Sequence, residues 1–171
     1  MPAQDQGFIR TQSIQEIEYL RRLYAKATDM IGEANQDSIQ EGRKIYHRIF
    51  AEDAVLSTGT RNVIGPDAWV DLVLGVLKPL GPTQHLIGTQ LVDIDHLVMN
   101  EDGEVLSGSA SMESYVQAWH ERPDKKVWLY LGTYIDKVTF IGDIGWQIVA
   151  MKMKQSGGEI RYMDEAVAKA T

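Results

Sequence analysis

The sequence predicts an α+β fold in which N-terminal helices pack into a strongly bent antiparallel sheet. In the first half of the chain, apolar residues recur every three or four positions, which is the period of an amphipathic helix. After about residue 83, long strand-like segments follow one another, separated by turn signals and not by helices. This order favours an α+β layout over alternating βαβ units.

The first helix is expected to begin at Ser13, because Ser13 and Glu16 resemble a capping box before an apolar run. Residues 1–12 are expected to form a flexible tail. A helix of roughly 100° per residue places Asp29 opposite the apolar stripe. Asp29 should therefore reach an interior cavity only if the helix distorts before Gly32 or if the stripe packs outward.

Two further helices and a short strand pair are expected before the sheet. After a polar loop at 33–41, the second helix should run from Gln40 to Phe50. Residues 51–64 should form a strand, a turn and the end of a second strand. Pro66 suits the first turn of the third helix, which the sequence KPLGP ends.

The rest of the chain predicts strands linked by hairpins, since NEDGE and HERPDKK are turn signals. Residues from about 155 to 171 are expected to be a C-terminal extension, and the chain contains no repeat or linker that would divide one domain. The predicted strands are Leu86–Val98, Val105–Trp119, Val127–Phe140 and Trp146–Met153.

Composition excludes several classes of function. A net charge of -7 over 171 residues argues against binding to nucleic acids and to anionic membranes. The absence of cysteine excludes disulfides, thiolate catalysis and cysteine-ligated zinc. The N-terminus has no signal-peptide pattern and no apolar run is long enough to cross a membrane, so a cytoplasmic protein is expected.

Common cofactor motifs are missing. The 4 histidines include no pair at metal-binding spacing, and there is no phosphate-binding glycine loop and no nucleophile elbow. We therefore expect no metal and no other cofactor.

His85 is the first candidate for chemistry. It lies just after the turn residues Gly81 and Pro82, at the start of an apolar strand-like run. A histidine there could simply bond a backbone carbonyl. It could also act as a general acid or base, which requires a carboxylate nearby.

Five segments resemble, in order, motifs of the nuclear-transport-factor-two-like, or SnoaL-like, superfamily and its scytalone dehydratase-like branch. Together they span most of the chain. The segments are Tyr24–Asp29 (YAKATD), Phe50–Leu56 (FAEDAVL), Gly65–Val73 (GPDAWVDLV), Thr83–Thr89 (TQHLIGT) and Leu131–Val149 (LGTYIDKVTFIGDIGWQIV).

The resemblance implies a cone, or cystatin-like roll, in which three helices and a bent sheet enclose a deep apolar cavity. It also implies that Asp29 and His85 form a catalytic acid–base pair. The expected reaction is a cofactor-independent lyase or isomerase step on a small hydrophobic, cyclic substrate. Residues expected to contact that substrate are Tyr24, Trp69, Ser109, Tyr130 and Tyr134.

The chain departs from the dehydratase pattern at two places. Thr28 occupies the position where a tyrosine precedes the aspartate, and the serine run Ser107–Ser111 is expected where the dehydratase has a second histidine. Two alternatives to an enzyme remain: a noncatalytic module that binds a small ligand, and an accessory β subunit of a ring-hydroxylating dioxygenase.

Self-association is expected because Val127–Phe140 is apolar on both strand faces. A homodimer packed through the outer sheet face is the first expectation, with a trimer as the alternative.

Overall fold

The computed structural model describes residues 3–163 and confirms the α+β class. Two helices precede two short strands, a third helix follows these strands, and four long strands complete the fold. The elements are α1 (Ala3–Gly32), α2 (Gln36–Ile49), β1 (Phe50–Ser57), β2 (Asn62–Ile64), α3 (Pro66–Leu77), β3 (Thr83–Met99), β4 (Val105–Arg122), β5 (Lys126–Ile141), a 3₁₀ turn (Gly142–Ile144) and β6 (Gly145–Tyr162).

The six strands form one sheet in the order β2-β1-β6-β5-β4-β3. Hairpins join β3 to β4, β4 to β5 and β5 to β6, so those pairs are antiparallel. The expectation of a wholly antiparallel sheet needs one correction, because β1 pairs with β6 in parallel. The long connection through α3 and the hairpins allows this parallel contact, which no tight turn could make.

The expected flexible tail is partly wrong, because α1 already begins at Ala3. Ser13 therefore lies inside the helix, where it is buried and does not cap an end. The early turns gain tertiary support from Arg10, whose guanidinium donates to the carbonyl of Ile94 on β3. Packing of this kind sustains a helix where a local capping pattern suggests a later start.

Two other boundaries also differ from the expectation. α2 begins at Gln36, because the side chain of Asn35 caps it by accepting a hydrogen bond from the backbone of Ser38 at 2.9 Å. β6 continues to Tyr162, so the first part of the expected C-terminal extension belongs to the sheet. The rest of that extension, residues 164–171, lies outside the described residues.

The core lies between the helices and one face of the sheet. On β4 the even-numbered residues from Gly108 to His120 are buried, and the intervening residues face outward. β-Bulges bend the strands around the helices, including one between Gly88 and Gln90 where Thr89 has a φ of 40°. The bent sheet and helices enclose the cavity described below.

No helix among the described residues combines the length and apolarity needed to cross a bilayer.

Candidate active site

A cavity of about 220 Å³ lies between α1, α3 and the concave face of the sheet. Its wall is mainly apolar and aromatic, with a few polar groups, which is the usual make-up of a small-molecule site. The lining residues are Tyr24, Thr28, Thr58, Trp69, Leu72, Val73, Val76, Leu77, His85, Ala118, His120, Trp128, Tyr130, Tyr134, Met153 and Gln155.

His85 and Asp29 are brought together at one side of this cavity. The Nδ1 atom of His85 lies 2.7 Å from Oδ1 of Asp29, and the backbone N–H of His85 donates to Oδ2 at 3.1 Å. The hydroxyl of Thr83 donates to the same carboxylate at 2.9 Å. The carboxylate thus fixes both the imidazole and the beginning of β3.

Asp29 does not itself line the cavity but lies behind His85. Its side chain is 21% exposed, whereas that of His85 is 7% exposed. Neither condition expected from the helical wheel is met, because α1 stays α-helical to Gly32 and its apolar stripe faces the core. The buried face of α1 is instead wider than the stripe, since Arg21 and Thr28 are buried as well. Asp29 lies at the margin of this face.

Gly32 allows the end of α1 to approach β3. A Cβ at this position would lie 3.2 Å from a Leu77 methyl and 3.3 Å from the hydroxyl of Thr83. Those distances are tighter than ordinary van der Waals contact, so a side chain here would push β3 away. The glycine therefore helps Asp29 to reach Thr83 and His85.

A second histidine, His120, lines the cavity beside His85, and the sequence interpretation missed it. Thr83 pairs with His120 and His85 pairs with Ala118, so the two histidines are diagonal neighbours on one sheet face. Their ring centroids are 5.4 Å apart. The expectation that the serine run Ser107–Ser111 would replace the second histidine was wrong, because that run lies farther back along β4.

The hydrogen bonds determine which ring nitrogen is free in each neutral imidazole. Nδ1 of His85 must donate to the Asp29 carboxylate, and Nδ1 of His120 must donate to the carbonyl oxygen of Trp128 at 3.1 Å. Each Nε2 then keeps a lone pair. Burial, with a further contribution from His85, lowers the pKa of His120 to about 4, so His120 is neutral at neutral pH.

Four of the five expected substrate contacts do line the cavity: Tyr24, Trp69, Tyr130 and Tyr134. Ser109 does not, because it lies on the outward face of β4 opposite His96 on the neighbouring strand. The strand alternation that buries Ala110 turns Ser109 away from the interior.

Gly132 shapes the wall next to Tyr130. A Cβ on Gly132 would lie 2.6 Å from the Tyr130 ring and 2.6 Å from its hydroxyl oxygen. The missing side chain thus lets Tyr130 lie flat along β5. Its ring extends in this way over Gly132 toward Tyr134, which is four residues farther along the same face.

A fully buried ion pair packs against Tyr24 and Tyr134 of the cavity wall. Arg21 and Asp136 make two hydrogen bonds, and both side chains are 0% exposed. The guanidinium carbon of Arg21 lies 4.1 Å from the ring centroid of Tyr134 and 4.5 Å from that of Tyr24. These contacts hold two cavity tyrosines in fixed positions.

Within residues 3–163, no three acidic or histidine side chains converge closely enough to hold a metal ion.

Comparison with known proteins places this site in a family. Residues 43–152, more than half of the chain, match the SnoaL-like domain. The chain belongs to the SnoaL-like family. The resemblance to this branch of the nuclear-transport-factor-two-like superfamily is therefore confirmed. A comparison with curated proteins yields no match.

Solved structures similar to this SnoaL-like chain share its fold at low sequence identity. A candidate scytalone dehydratase from Novosphingobium aromaticivorans is 17% identical with a TM-score of 0.66, covering 98% of this chain and 99% of that one. A hexachlorocyclohexane dehydrochlorinase, LinA-type3 from Novosphingobium barchaimii, is 13% identical with a TM-score of 0.71, covering 92% and 98%. A Nostoc punctiforme protein with a cystatin-like fold is 16% identical with a TM-score of 0.59, covering 83% and 90%.

Proposed function

We propose that this SnoaL-like protein is a cofactor-independent lyase or isomerase that acts on a small hydrophobic, ring-containing substrate. The observation that carries the proposal is the hydrogen bond between His85 and Asp29, with the imidazole on the cavity wall and the carboxylate behind it. The solved neighbours that are named for dehydration and dehydrochlorination support a lyase-type reaction, since both names describe eliminations.

His85 acts as the general base through Nε2. The Asp29 carboxylate holds Nδ1–H, so the lone pair of Nε2 is presented to the cavity. It removes a proton from a carbon or oxygen of the bound substrate, and the resulting imidazolium can return that proton to a leaving group or to another carbon. Asp29 stabilises the imidazolium while it exists, without contacting the substrate.

His120 binds the substrate in its neutral form. Because its pKa is about 4, it stays uncharged at neutral pH and its Nε2 accepts a hydrogen bond from a hydroxyl of the substrate. Its ring is held by stacking on Trp128, with ring centroids 4.4 Å apart. A hydroxyl bound at this point lies beside His85, where acid–base chemistry can act on it.

The experiment is a turnover screen of the purified protein with two substrate sets, ring hydroxyketones and halogenated cycloalkanes. Mass spectrometry detects loss of water or of hydrogen halide, and NMR detects isomers. For any substrate that is converted, His85→Gln should lower turnover by roughly 10²- to 10⁴-fold. The matched control is His96→Gln, which changes an exposed histidine on the same strand. Full activity in His85→Gln would contradict the proposed role of His85. Absence of turnover with every substrate would favour the alternative, a noncatalytic module that binds a small ligand.

A further inference from the structure

Three residues in register across the sheet place His85 opposite a tyrosine, with a small residue between them. His85 on β3 pairs with Ala118 on β4, and Ala118 pairs with Tyr130 on β5. All three residues line the cavity. Because neighbouring strands lie about 4.8 Å apart, the Cα atoms of His85 and Tyr130 are about 10 Å apart on one sheet face. Ala118 contributes only a methyl group, so the space above it, here called the slot, is open to a ligand.

The rows of residues on either side form the walls of the slot. On one side, His120 stacks on Trp128, with ring centroids 4.4 Å apart. On the other side, Val116 pairs with Gly132, which has no side chain. The Tyr130 hydroxyl oxygen and one ring carbon lie 2.6 Å from the place where a Cβ of Gly132 would be. The Tyr130 hydroxyl is thereby held at the inner face of β5.

The hydroxyl of Tyr130 is available to a ligand. Within residues 3–163 it makes no hydrogen bond, and it is not one of the fully buried polar atoms that lack a partner, so it is open to the cavity that Tyr130 lines. Burial, with a smaller effect of Tyr24, raises the pKa of Tyr130, and no hydrogen bond contributes. The phenol therefore stays protonated at neutral pH and can donate.

The other hydroxyls at this end of α1 are engaged within the protein. Thr28 donates to the backbone carbonyl of Tyr24 at 2.8 Å, so the hydroxyl of Tyr46 must donate to Thr28 at 2.6 Å. Burial raises the pKa of both Tyr24 and Tyr134, and an interaction between their two hydroxyls also affects both values. Tyr130 is thus the tyrosine of the cavity wall whose donor is free.

The two sides of the slot offer opposite hydrogen-bonding groups. His85 presents the lone pair of Nε2, because its Nδ1–H is held by Asp29. We propose that a flat ring lies in the slot and that the Tyr130 hydroxyl donates to an acceptor oxygen on this ring, such as a ring carbonyl. Tyr130 is thus a specificity-determining residue that favours oxygen-bearing rings over hydrocarbon rings, and Ala118 admits the ring. This recognition rests on the proposed function only in assigning His85 to the reactive edge of the ring.

Two matched probes test the hydrogen bond without any need for turnover. 1-Indanone and indane share a bicyclic frame and differ by the carbonyl oxygen. We expect the wild-type protein to bind the ketone more tightly than the hydrocarbon. Tyr130→Phe should weaken ketone binding roughly 3- to 10-fold, the scale of one hydrogen bond, and should change indane binding little. Titration followed by NMR gives both dissociation constants.

Tyr115→Phe is the matched control for Tyr130→Phe. Tyr115 lies on the neighbouring strand β4, but it faces outward and is 58% exposed. Loss of its hydroxyl should leave the affinities for both probes unchanged.

Ala118→Val tests the slot itself. The two added methyl groups would occupy the space between His85 and Tyr130, so binding of both probes should weaken roughly tenfold or more. Ala118→Gly is the comparison, because it leaves the slot open and should keep the preference for the ketone.

Two measurements on the wild-type protein keep the proposal testable if a variant fails to fold. Nuclear Overhauser effects should connect the ring protons of bound 1-indanone with the methyl group of Ala118. The carbonyl stretching band of the bound ketone should lie at lower frequency than in an apolar solvent. In Tyr130→Phe this band should return toward its apolar position, which a merely structural role of Tyr130 would not cause.

Equal loss of ketone and hydrocarbon binding in Tyr130→Phe, an unshifted carbonyl band, or unchanged affinities in Ala118→Val would each overturn the proposal. Absence of ketone binding up to its solubility limit would do the same. Such a result together with an inactive His85→Gln would leave the proposed catalysis intact. A Tyr130-dependent ketone preference in a protein without turnover would instead leave the recognition intact and remove the catalysis.

Discussion

One carboxylate, that of Asp29, accepts hydrogen bonds from both the ring Nδ1 and the backbone N–H of His85. The first bond sets the orientation and tautomer of the imidazole, and the second fixes the position of the strand that carries it. A carbonyl acceptor could do only part of this, because it lacks the second oxygen and the negative charge that stabilises an imidazolium.

Asp29→Asn should keep the His85 imidazole in place but change which of its ring nitrogens carries the proton. An amide can donate to Nδ1 and so favour the tautomer with the proton on Nε2, which removes the lone pair that a general base needs. We expect turnover to fall roughly 10²- to 10⁴-fold with little change in KM. Long-range ¹H–¹⁵N spectra of the imidazole should show the tautomer change even before a substrate is found.

Thr83→Val is the comparison for Asp29→Asn. It removes one hydrogen bond to the carboxylate but leaves the charge and the contact with His85. Turnover should fall less than about tenfold, because the carboxylate keeps both of its hydrogen bonds to His85. Stability should fall by about 1.5–3 kcal/mol, the scale of a hydrogen bond to a charged group. An equal loss of turnover in both variants would mean that turnover depends on the local structure around Asp29 and not on the tautomer of His85.

His120 should make the protein sensitive to acid. Its pKa is about 4 in the folded protein and 6.5 in an unfolded chain. Between these values the unfolded chain binds more protons, so the free energy of unfolding falls as the pH decreases from about 6.5 toward 4. The contribution is fully present above the unfolded pKa and amounts to at most about 3 kcal/mol.

Urea unfolding between pH 4.5 and pH 7.5 measures this effect. The curve for His120→Gln should be flatter than that of the wild type over this range, and the curve for His96→Gln should keep the wild-type slope. Parallel curves for all three proteins would show that His120 is not held neutral by folding.

Replacing one member of the buried pair of Arg21 and Asp136 should lower the free energy of unfolding more than replacing both. Arg21→Met or Asp136→Leu alone leaves a charge without its partner in the core and should lower the free energy of unfolding by about 3–5 kcal/mol. The double variant Arg21→Met/Asp136→Leu should be more stable than either single variant. Chemical denaturation checks the order, and additive losses would contradict it.

Much of the fold could be predicted because short segments of the sequence carry the periodic patterns of helices and strands. The stripe containing Ile17, Tyr24 and Ile31 has helical spacing, and all three residues are buried as this pattern requires. The Asp29–His85 pairing came from the family resemblance. The helical wheel alone placed Asp29 on the wrong side, because it assumed that only the apolar stripe of α1 is covered.

The sequence interpretation misses His120 because HERPDKK is a turn signal, which predicts that the strand ends at Trp119. β4 continues to Arg122, and only the residues after it form the turn. Met99 pairs with Val105 at the hairpin between β3 and β4. A regular antiparallel register continued from this pair would place His120 opposite residue 84, and β-bulges shift its partner to Thr83. A count along the hairpin could therefore have found the second histidine to within one residue.

The outer sheet face should hold copies of the chain together. Leu86 on β3 and Leu131 on β5 flank Gln117, and Tyr115 lies two residues along the same face of β4. All three apolar side chains are exposed, with Tyr115 at 58%, around an open depression of about 690 Å³ on the side away from His85. Burying them between subunits would remove a sizeable apolar surface from water.

We expect a homodimer at micromolar concentration, with a trimer as the alternative, by size-exclusion chromatography with light scattering. Tyr115→Asp should shift the protein toward monomer by placing a charge in the interface. Ile144→Asp is the control, because Ile144 is at least as exposed as Tyr115 but lies in the turn between β5 and β6. A monomeric wild type would contradict the prediction.

His47 should clamp the beginning of α3 in a pH-dependent way. Its Nδ1 lies 2.9 Å from Glu52 on β1, and its Nε2 lies 3.1 Å from Asp67 in the first turn of α3. Asp67 also pairs with Arg43 on α2. The hydrogen bond to Glu52, with a smaller effect of Asp67, raises the pKa of His47 above 6.5, although partial burial opposes the rise.

Because the folded pKa is the higher one, protonated His47 stabilises the protein fully below about pH 6.5, and this stabilisation is lost as the pH rises through the folded pKa. His47→Gln should therefore reduce the free energy of unfolding more at pH 5.5 than at pH 8.5, as measured by urea unfolding. Arg43 and the carboxylates of Glu52 and Asp67 are the charged groups that face His47. A difference between the two proteins that stays constant from pH 5.5 to 8.5 would show that His47 contributes by packing alone and does not act as a charged clamp on the helix that forms one wall of the cavity.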